Sequence, residues 1–414
     1  SDGNSGSNYD VTFATVDTGT ITARAITVTA TADSKTYNGT ASSTGTPTIT
    51  VGTLVAGDSA TWTQTFNNKN VGTNKTLTPA GTVSDGNSGN NYNVTFTSVS
   101  TGTITAKSLT VSGITANNRE YDSTTTAILN TGGAALVGVV SGDTVTLNTA
   151  SAAGVFADKN VGTGKAVTIS GLTIGGTDVA NYSLTQPTTT ANITARAITV
   201  RAINNSKTYD GTTSSTGTPT ITSGSLASGD SVTWTQTFDT KNIGTNKTLT
   251  PAGTVSDANS GNNYNVTFTT VGTGTITTRA ITVTAGADSK AYDGTTSSTG
   301  TPTITFGSLA TGDSVTWTQT FSTKFAETNK TLTPAGTVND GNNGNNYIVT
   351  FATVDTGTIT ARAITVTAAI DSKEYDGTTS SSRMPTITSG SLGTGDNVTW
   401  TQTFDTKNVG TNKT

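Results

Sequence analysis

The stretch "TGTITARAITVTATADSKTYNGT", residues 18–40, decides how the chain is read. It alternates apolar or β-branched residues with small and polar ones for more than ten positions, then breaks at Tyr37-Asn38-Gly39. That alternation has the period of a half-buried strand, and Asn-Gly has the chemistry of a turn. Versions of it return at 101, 190, 273 and 356. Inside it the apolar set changes face: Ile21, Ala23 and Ala25 share one parity, Ile26 and Val28 the other. The same offset recurs at Ile104 and Leu109, Ile193 and Ile198, Ile276 and Ile281, and Ile359 and Ile364. A one-residue shift moves a hydrophobic set to the opposite side of a strand. The face therefore switches, or a bulge sits, at Arg24-Ala25. Arg24, Lys107, Arg196, Arg279 and Arg362 are the expected inter-domain joints, where one domain's last strand runs into the next domain's first without a Gly or Pro hinge. Successive domains are expected to be turned strongly relative to each other, in a stiff rod.

The chain is a repeat. Tyr37, Tyr121, Tyr209, Tyr292 and Tyr375 open equivalent motifs, separated by 84, 88, 83 and 83 residues. Trp62, Trp234, Trp317 and Trp400 each follow their Tyr by 25 residues. "KNVGT" or a variant comes at Lys69, Lys159, Lys241, Lys324 and Lys407, and an Asn-Tyr pair closes each unit at Tyr9, Tyr92, Tyr182, Tyr264 and Tyr347. A period near 83 is too long for a solenoid coil and suits a small domain. The expected organisation is 1–23, the C-terminal part of a repeat; 24–106, a repeat; 107–195, a divergent repeat with Leu147 in place of Trp; 196–278 and 279–361, repeats; and 362–414, the N-terminal part of another. The partial ends fit either a window of a longer array or a subunit that self-associates head to tail.

Within 24–106, about six strands are expected: "RAITVTA", "TPTITV", "SATWTQTF", "KTLTPAGTV", "NYNVTF" and "STGTITA". Gly-, Asn- and Asp-rich turns punctuate them, and no helical period is visible. The expectation is an all-β tandem array of small Ig-like sandwiches, with β-grasp-like modules as the alternative topology.

Composition agrees. Thr dominates the polar residues and fits a pleated surface, so 31% hydrophobic and 12% charged residues still suit folded β-structure. The absence of Cys and His excludes disulfides, thiol chemistry, Cys/His zinc sites and histidine acid–base catalysis. Net charge is −4 and unclustered, so no nucleic acid is expected as partner, and no apolar run is long enough for a membrane-spanning helix.

The divergent unit carries the most specific resemblance. "REYDSTTTAIL", "SGDTVTL" and "FADKNVGTGKAVTISGLTIGGTDVANYSLTQ" resemble the YDG repeat of very large bacterial surface proteins, among them filamentous-haemagglutinin-like exoproteins and Ig-like repeat adhesins. The other units are similar through "SKTYDGTTSSTGTPTI" and "KNIGTNKTLTPAGTV". Asn38 departs from the motif Asp, and Lys324-Phe325-Ala326-Glu327 from the KNVGT turn. The resemblance implies an exported, cell-surface, array-forming protein without catalytic residues. Its partners would be neighbouring repeats, with a glycan or host receptor possible for the modules themselves.

The remaining candidates read as structure. Tyr37, Gly39, Tyr121, Asp122, Tyr209, Asp210, Gly211, Tyr292, Asp293, Gly294, Tyr375, Asp376 and Gly377 are expected to close a core beside a turn, with the four tryptophans as core markers. "SDGNSGNN" at 84–91 superficially resembles a calcium loop but has one carboxylate, so no cofactor is expected and calcium stays a minor alternative. Glu occurs only at 120, 327 and 374, which argues against a glycosidase pair and against an enzyme. Lys35, Lys69 and Lys75 near Asn70 and Asn74 could form isopeptide links, but solvated turn lysines are the expectation. Thr-x-Thr rows are too short for an ice-binding face, and the Asn-x-Thr triplets are frequent by composition.

Overall fold

A computed structural model describes all 414 residues. It is all-β apart from one 3-10 turn at Val179–Asn181. The chain divides into two compact units, Ser1–Ala195 and Arg196–Thr414.

The first repeat contains β1 (Arg24–Thr29), β2 (Ser34–Thr36), β3 (Thr48–Val51), β4 (Ser59–Phe66), β5 (Gly72–Ser84), β6 (Tyr92–Thr97) and β7 (Val99–Thr105). They form a three-stranded sheet, β3-β1-β6, and a four-stranded sheet, β2-β7-β5-β4. The expected six strands become seven, because β2 is only three residues, Ser-Lys-Thr, and shows no apolar alternation. Period-2 patterning places Ile26 and Val28 of β1, Tyr92 of β6, Phe66 of β4, Leu77 of β5 and Ile104 of β7 in the buried space between the sheets.

Two devices hold the sheets together besides apolar contact. Gln64, buried, donates to Thr31 O at 2.8 Å and accepts from Thr31 N–H at 2.9 Å, pairing the chain beyond β1 with β4. Trp62 stands opposite Gly81, whose φ is +150°; a Cβ there would lie 2.6 Å from the indole ring. The ring thus covers bare backbone at the sandwich edge, with Phe96 edge-on at 5.9 Å.

In the second unit the same two-sheet order recurs twice. The third repeat runs from Arg196–Arg201 to Val271–Thr277, and the fourth from Arg279–Thr284 to Val354–Thr360. In the divergent repeat the long hairpin of β4 and β5 is broken. Thr146–Asn148 pairs with Thr173–Gly175, while Ala153–Phe156 joins a separate five-stranded sheet.

Residues 1–23 form no strand, and Tyr9 and Ile21 are exposed where Tyr92 and Ile104 are buried. A β6- or β7-type sequence has nothing to pair with unless a β1- or β5-type strand lies beside it. Beyond Thr360 a two-stranded pair, Thr365–Thr367 with Thr386–Ser389, is formed, and Ile370 and Tyr375 are exposed.

Candidate functional site: the joint between repeats

Sheet topology determines which motifs meet. β2 runs parallel to β7, so the turn after β2 emerges where β7 leaves the domain. Tyr37 N–H is bonded there to Thr105 O at 2.8 Å. β5 is antiparallel to β7, which brings the Lys69-Asn70-Val71 turn before β5 to the same trailing end. At the leading end, β6 runs parallel to β1, so the Asn-Tyr pair sits beside the first residue, and Arg24 is in register with Tyr92. The start of β4 lies opposite the end of β5, which places the Gly-Asp turn at that leading end too. Two recurring motifs therefore face forward and two face backward.

Across the joint inside the first unit these four converge. The Tyr37 hydroxyl donates to Asp143 Oδ2 at 2.8 Å, and the Tyr182 hydroxyl donates to the same oxygen at 2.6 Å. Lys69 Nζ lies 3.1 Å from Asp143 Oδ1, and the Asp143 side chain is 2% exposed. Tyr182 in turn accepts the Val140 N–H at 2.9 Å. Beside this group, Asn181 Oδ1 takes the Val71 N–H at 2.9 Å. The buried carboxylate thus has a cation and two hydroxyls, the compensation that a buried charge requires.

The electrostatics follow. The Tyr182 hydroxyl, with those of Tyr37 and the Lys69 ammonium, holds the Asp143 carboxyl below its usual range against the opposing effect of burial. Burial, reinforced by the Asp143 charge, pushes the Tyr182 phenol up to about 12. The Lys69 ammonium is raised by Asp143 first and Tyr37 second.

The second unit repeats the arrangement. Tyr209 and Tyr347 donate to the two oxygens of Asp313 at 3.3 and 2.7 Å, with Lys241 at 3.7 Å. Ile243 N–H reaches Asn346 Oδ1 at 3.0 Å. Further on, Tyr292 donates to Asp396 at 3.0 Å, with Lys324 at 3.7 Å. The tyrosine pairs Tyr37–Tyr182 and Tyr209–Tyr347 both pack edge to face, at 5.4 and 5.5 Å.

The core itself passes through the joint. Tyr37, Phe66, Leu77 and Ile104 pack in one buried cluster with Leu109 and Tyr182 of the divergent repeat. Tyr209, Leu249 and Ile276 do the same with Ile281, Ala310 and Tyr347. One residue, Ala106, separates β7 from the strand Lys107–Ser112, and Thr278 separates Thr277 from Arg279.

The motif glycines make this contact possible. Gly39 (φ +80°) lies under Val140, where a Cβ would come within 2.7 Å of a methyl. Gly294 (φ +83°) lies against Thr394, where a Cβ would stand 2.3 Å from the carbonyl oxygen. The motif acids turn the other way. Asp210 accepts from Lys207 at 2.7 Å and from Thr212 N–H at 2.9 Å, holding the lysine over the Phe238 ring. Asp293 and Asp376 repeat this with Lys290 and Lys373, and Asp122 does so with Arg119. Asn38 keeps the same geometry with Lys35.

Of the expected joint residues, Arg279 donates to Tyr209 O at 3.3 Å and to Ser308 O at 2.7 Å, and Arg362 donates to Tyr292 O at 3.4 Å. Both therefore tie a repeat's first residue to the preceding motif tyrosine. Arg24 reaches Thr53, and Arg196 reaches Ser225. Lys107 pairs in register with Tyr182. Tyr121 is fully buried. Among the tryptophans Trp234 is buried, while Trp62, Trp317 and Trp400 are half-buried.

One expectation is corrected. Lys35 and Lys75 are not solvated: Lys35 sits over the Phe66 ring, and Lys75 is buried with its ammonium 2.7 Å from Asn68 Oδ1. The lysine stems cover apolar surface while the heads find oxygens. The aspartates of the Gly-Asp turns, not singled out in the sequence, anchor the joints at Asp143 and Asp313. The "SDGNSGNN" loop folds on itself: Asp85 takes the N–H groups of Asn87, Gly89 and Asn91 at 2.8, 2.8 and 3.0 Å. In the fourth repeat the equivalent Asp340 holds Asn346 for its bond across the joint.

Among solved structures the chain is similar to Drosophila N-cadherin EC1-4, at 9% identity and TM-score 0.18, over 82% of this chain and 100% of that one. It is similar to the I9-I11 tandem of titin, at 11% and 0.20, over 61% and 97%. Domains 4–9 of the surface layer protein SbsC match at 13% and 0.18, over 85% and 66%. Scores this low carry no argument about this chain. No curated protein matches it. The YDG domain matches five times, over residues 22–101, 105–191, 194–271, 277–356 and 360–414. With nearly its whole length matched, the chain belongs to the YDG domain family.

Proposed function

We propose that the chain is a structural rod or stalk of a bacterial cell-surface adhesin or extracellular filament. Its domains would be 24–106, 107–195, 196–278 and 279–361, with parts of repeats at either end. The supporting observation is the joint: a buried Asp143 bridging Tyr37, Lys69 and Tyr182 from two repeats, and its counterpart at Asp313. Recurring residues that would line a cleft in a binding module instead tie neighbours together here. At the Asp143 joint the carboxylate is paired with protein groups, Tyr37, Tyr182 and Lys69.

The test is small-angle scattering of the full chain beside a Tyr37→Ala/Tyr209→Ala/Tyr292→Ala variant. The rod reading expects an extended particle whose maximum dimension becomes broadly distributed in the variant. A flexible parent chain, or a variant with unchanged scattering, would count against it. Modules that bind glycans are the second reading. They are favoured only by Phe96, Phe268 and Phe351, which are 39%, 40% and 39% exposed beside their tryptophans.

A further inference from the structure

The longest edge strands are β4 and its counterparts Ser231–Phe238 and Ser314–Phe321, eight residues each and last in their sheets. Folded proteins normally blunt such edges with charge, proline, a bulge or a covering segment. These strands, "SATWTQTF" and twice "SVTWTQTF", contain no charged residue and no proline. Each pairs with its inner neighbour over all eight positions without a register shift.

Cover exists at one end alone. Phe238 N–H donates to Thr213 O at 2.8 Å, and Ser214 bridges Thr237. Backbone groups along an antiparallel ladder alternate sides. Because Phe238 N–H points outward, those of Gln236, Trp234 and Val232 do too; Gln236 is buried beside Ser215 and Gly217, and no strand lies beyond Trp234 and Val232. Thr233 and Thr235 are exposed.

The divergent repeat supplies an internal comparison. There the corresponding hairpin is cut into Thr146–Asn148 and Ala153–Phe156, and the second piece is covered by Thr126–Ala127. The chain therefore contains one broken version of this edge and three unbroken ones, each covered at its C-terminal end.

We propose that the open edges pair antiparallel with the same edge of a second copy of this chain, joining chains side by side. The strand is its own complement about Thr233. Val232 would lie opposite Trp234, and the row Ser231, Thr233, Thr235 opposite Thr235, Thr233, Ser231. Like strands meet without charge repulsion, and opposed threonines are favourable cross-strand pairs. Each chain carries three such edges.

The absence of cysteine makes the test clean. Opposed residues at the centre of such a pair have Cα atoms about 4.5 Å apart, within disulfide reach. Oxidation is expected to convert a Thr233→Cys chain into a covalent dimer. A Thr222→Cys chain, altered on an exposed strand of the other sheet, should stay largely monomeric. A chain with Thr61→Lys, Thr233→Lys and Thr316→Lys is expected to lose concentration-dependent association in sedimentation velocity, with far-UV circular dichroism unchanged. Equal cross-linking at both cysteine positions overturns the proposal. So does undiminished association of the folded lysine variant, or a parent chain that stays monomeric at every concentration. Should the lysine variant misfold, the cysteine pair decides.

Discussion

Tyr37 and Tyr182 belong to different repeats, yet their hydroxyls donate to one and the same oxygen, Asp143 Oδ2, at 2.8 and 2.6 Å. Both rings are also buried, so each tyrosine contributes apolar area and a charge-assisted hydrogen bond.

Removing the hydroxyl alone should weaken the joint modestly. In Tyr209→Phe, the bond to Asp313 is lost while packing is kept, which is expected to cost about 1–3 kcal/mol. Tyr209→Ala adds a cavity and should cost about 3–5 kcal/mol. Urea denaturation of the full chain checks the order. Equal losses in the two variants would assign the whole effect to the hydrogen bond and contradict the packing role.

The glycine pair Gly294 and Gly377 separates joint strain from backbone strain. Both have positive φ, +83° and +81°, but a Cβ on Gly294 would collide with Thr394 O, whereas one on Gly377 meets nothing within 4 Å. Gly377→Ala should lose about 1 kcal/mol from conformation alone. Gly294→Ala should lose at least twice that. Differential scanning calorimetry of the two variants gives the comparison, and equal losses would show that Thr394 is not a close neighbour.

The pH profile has a definite sign. The Asp143 pKa is lowered, so its contribution is present above the ordinary carboxylate value and lost as pH falls through the lower folded one. The pKa values of Tyr182 and Tyr347 are raised, both to about 12, chiefly by burial. Their contribution is complete below the free phenol value of about 10 and is lost as pH rises toward 12. The raised Lys69 acts in the same direction. Melting temperature should therefore be level across neutral pH and fall in the alkaline window. Phenolate absorbance at high pH, followed with the melting curve, should show both changes together.

Gln236 tests the sandwich rather than the joint. Its amide satisfies both backbone groups of Ile203, each at 2.9 Å. Gln236→Leu leaves these part-buried groups without their partner and should cost about 1–3 kcal/mol. A urea midpoint unchanged from the parent would mean that other groups or water replace the amide.

Much of this architecture was legible in the sequence, and the reason the rest was not is specific. Alternation in "SATWTQTF" and "RAITVT" gave strands and faces directly, and the parity switch between Ile104 and Leu109 marks the passage from one sheet to the next. The three-residue β2 had no alternation to read. The joint stayed hidden for a different reason. In a periodic chain a motif tyrosine such as Tyr37 is as consistent with the aspartate of its own repeat, Asp58, as with Asp143 one repeat on. Asp58 instead takes the hydroxyl of Tyr92 from its own repeat. Only the parallel pairing of β2 with β7, which sends the motif turn out with the departing strand, chooses between them.

That geometry bears on how such a chain can change length. Each repeat carries a forward half of the joint, Tyr and Lys, and a backward half, Asp and Asn-Tyr. Tyr37 docks on the divergent repeat with the same atoms that Tyr209 uses on a common one. Unequal recombination that inserts or deletes a common repeat at a junction of the Asp313 kind therefore leaves that junction chemically complete, and repeat number becomes a heritable variable that needs no redesign of the fold.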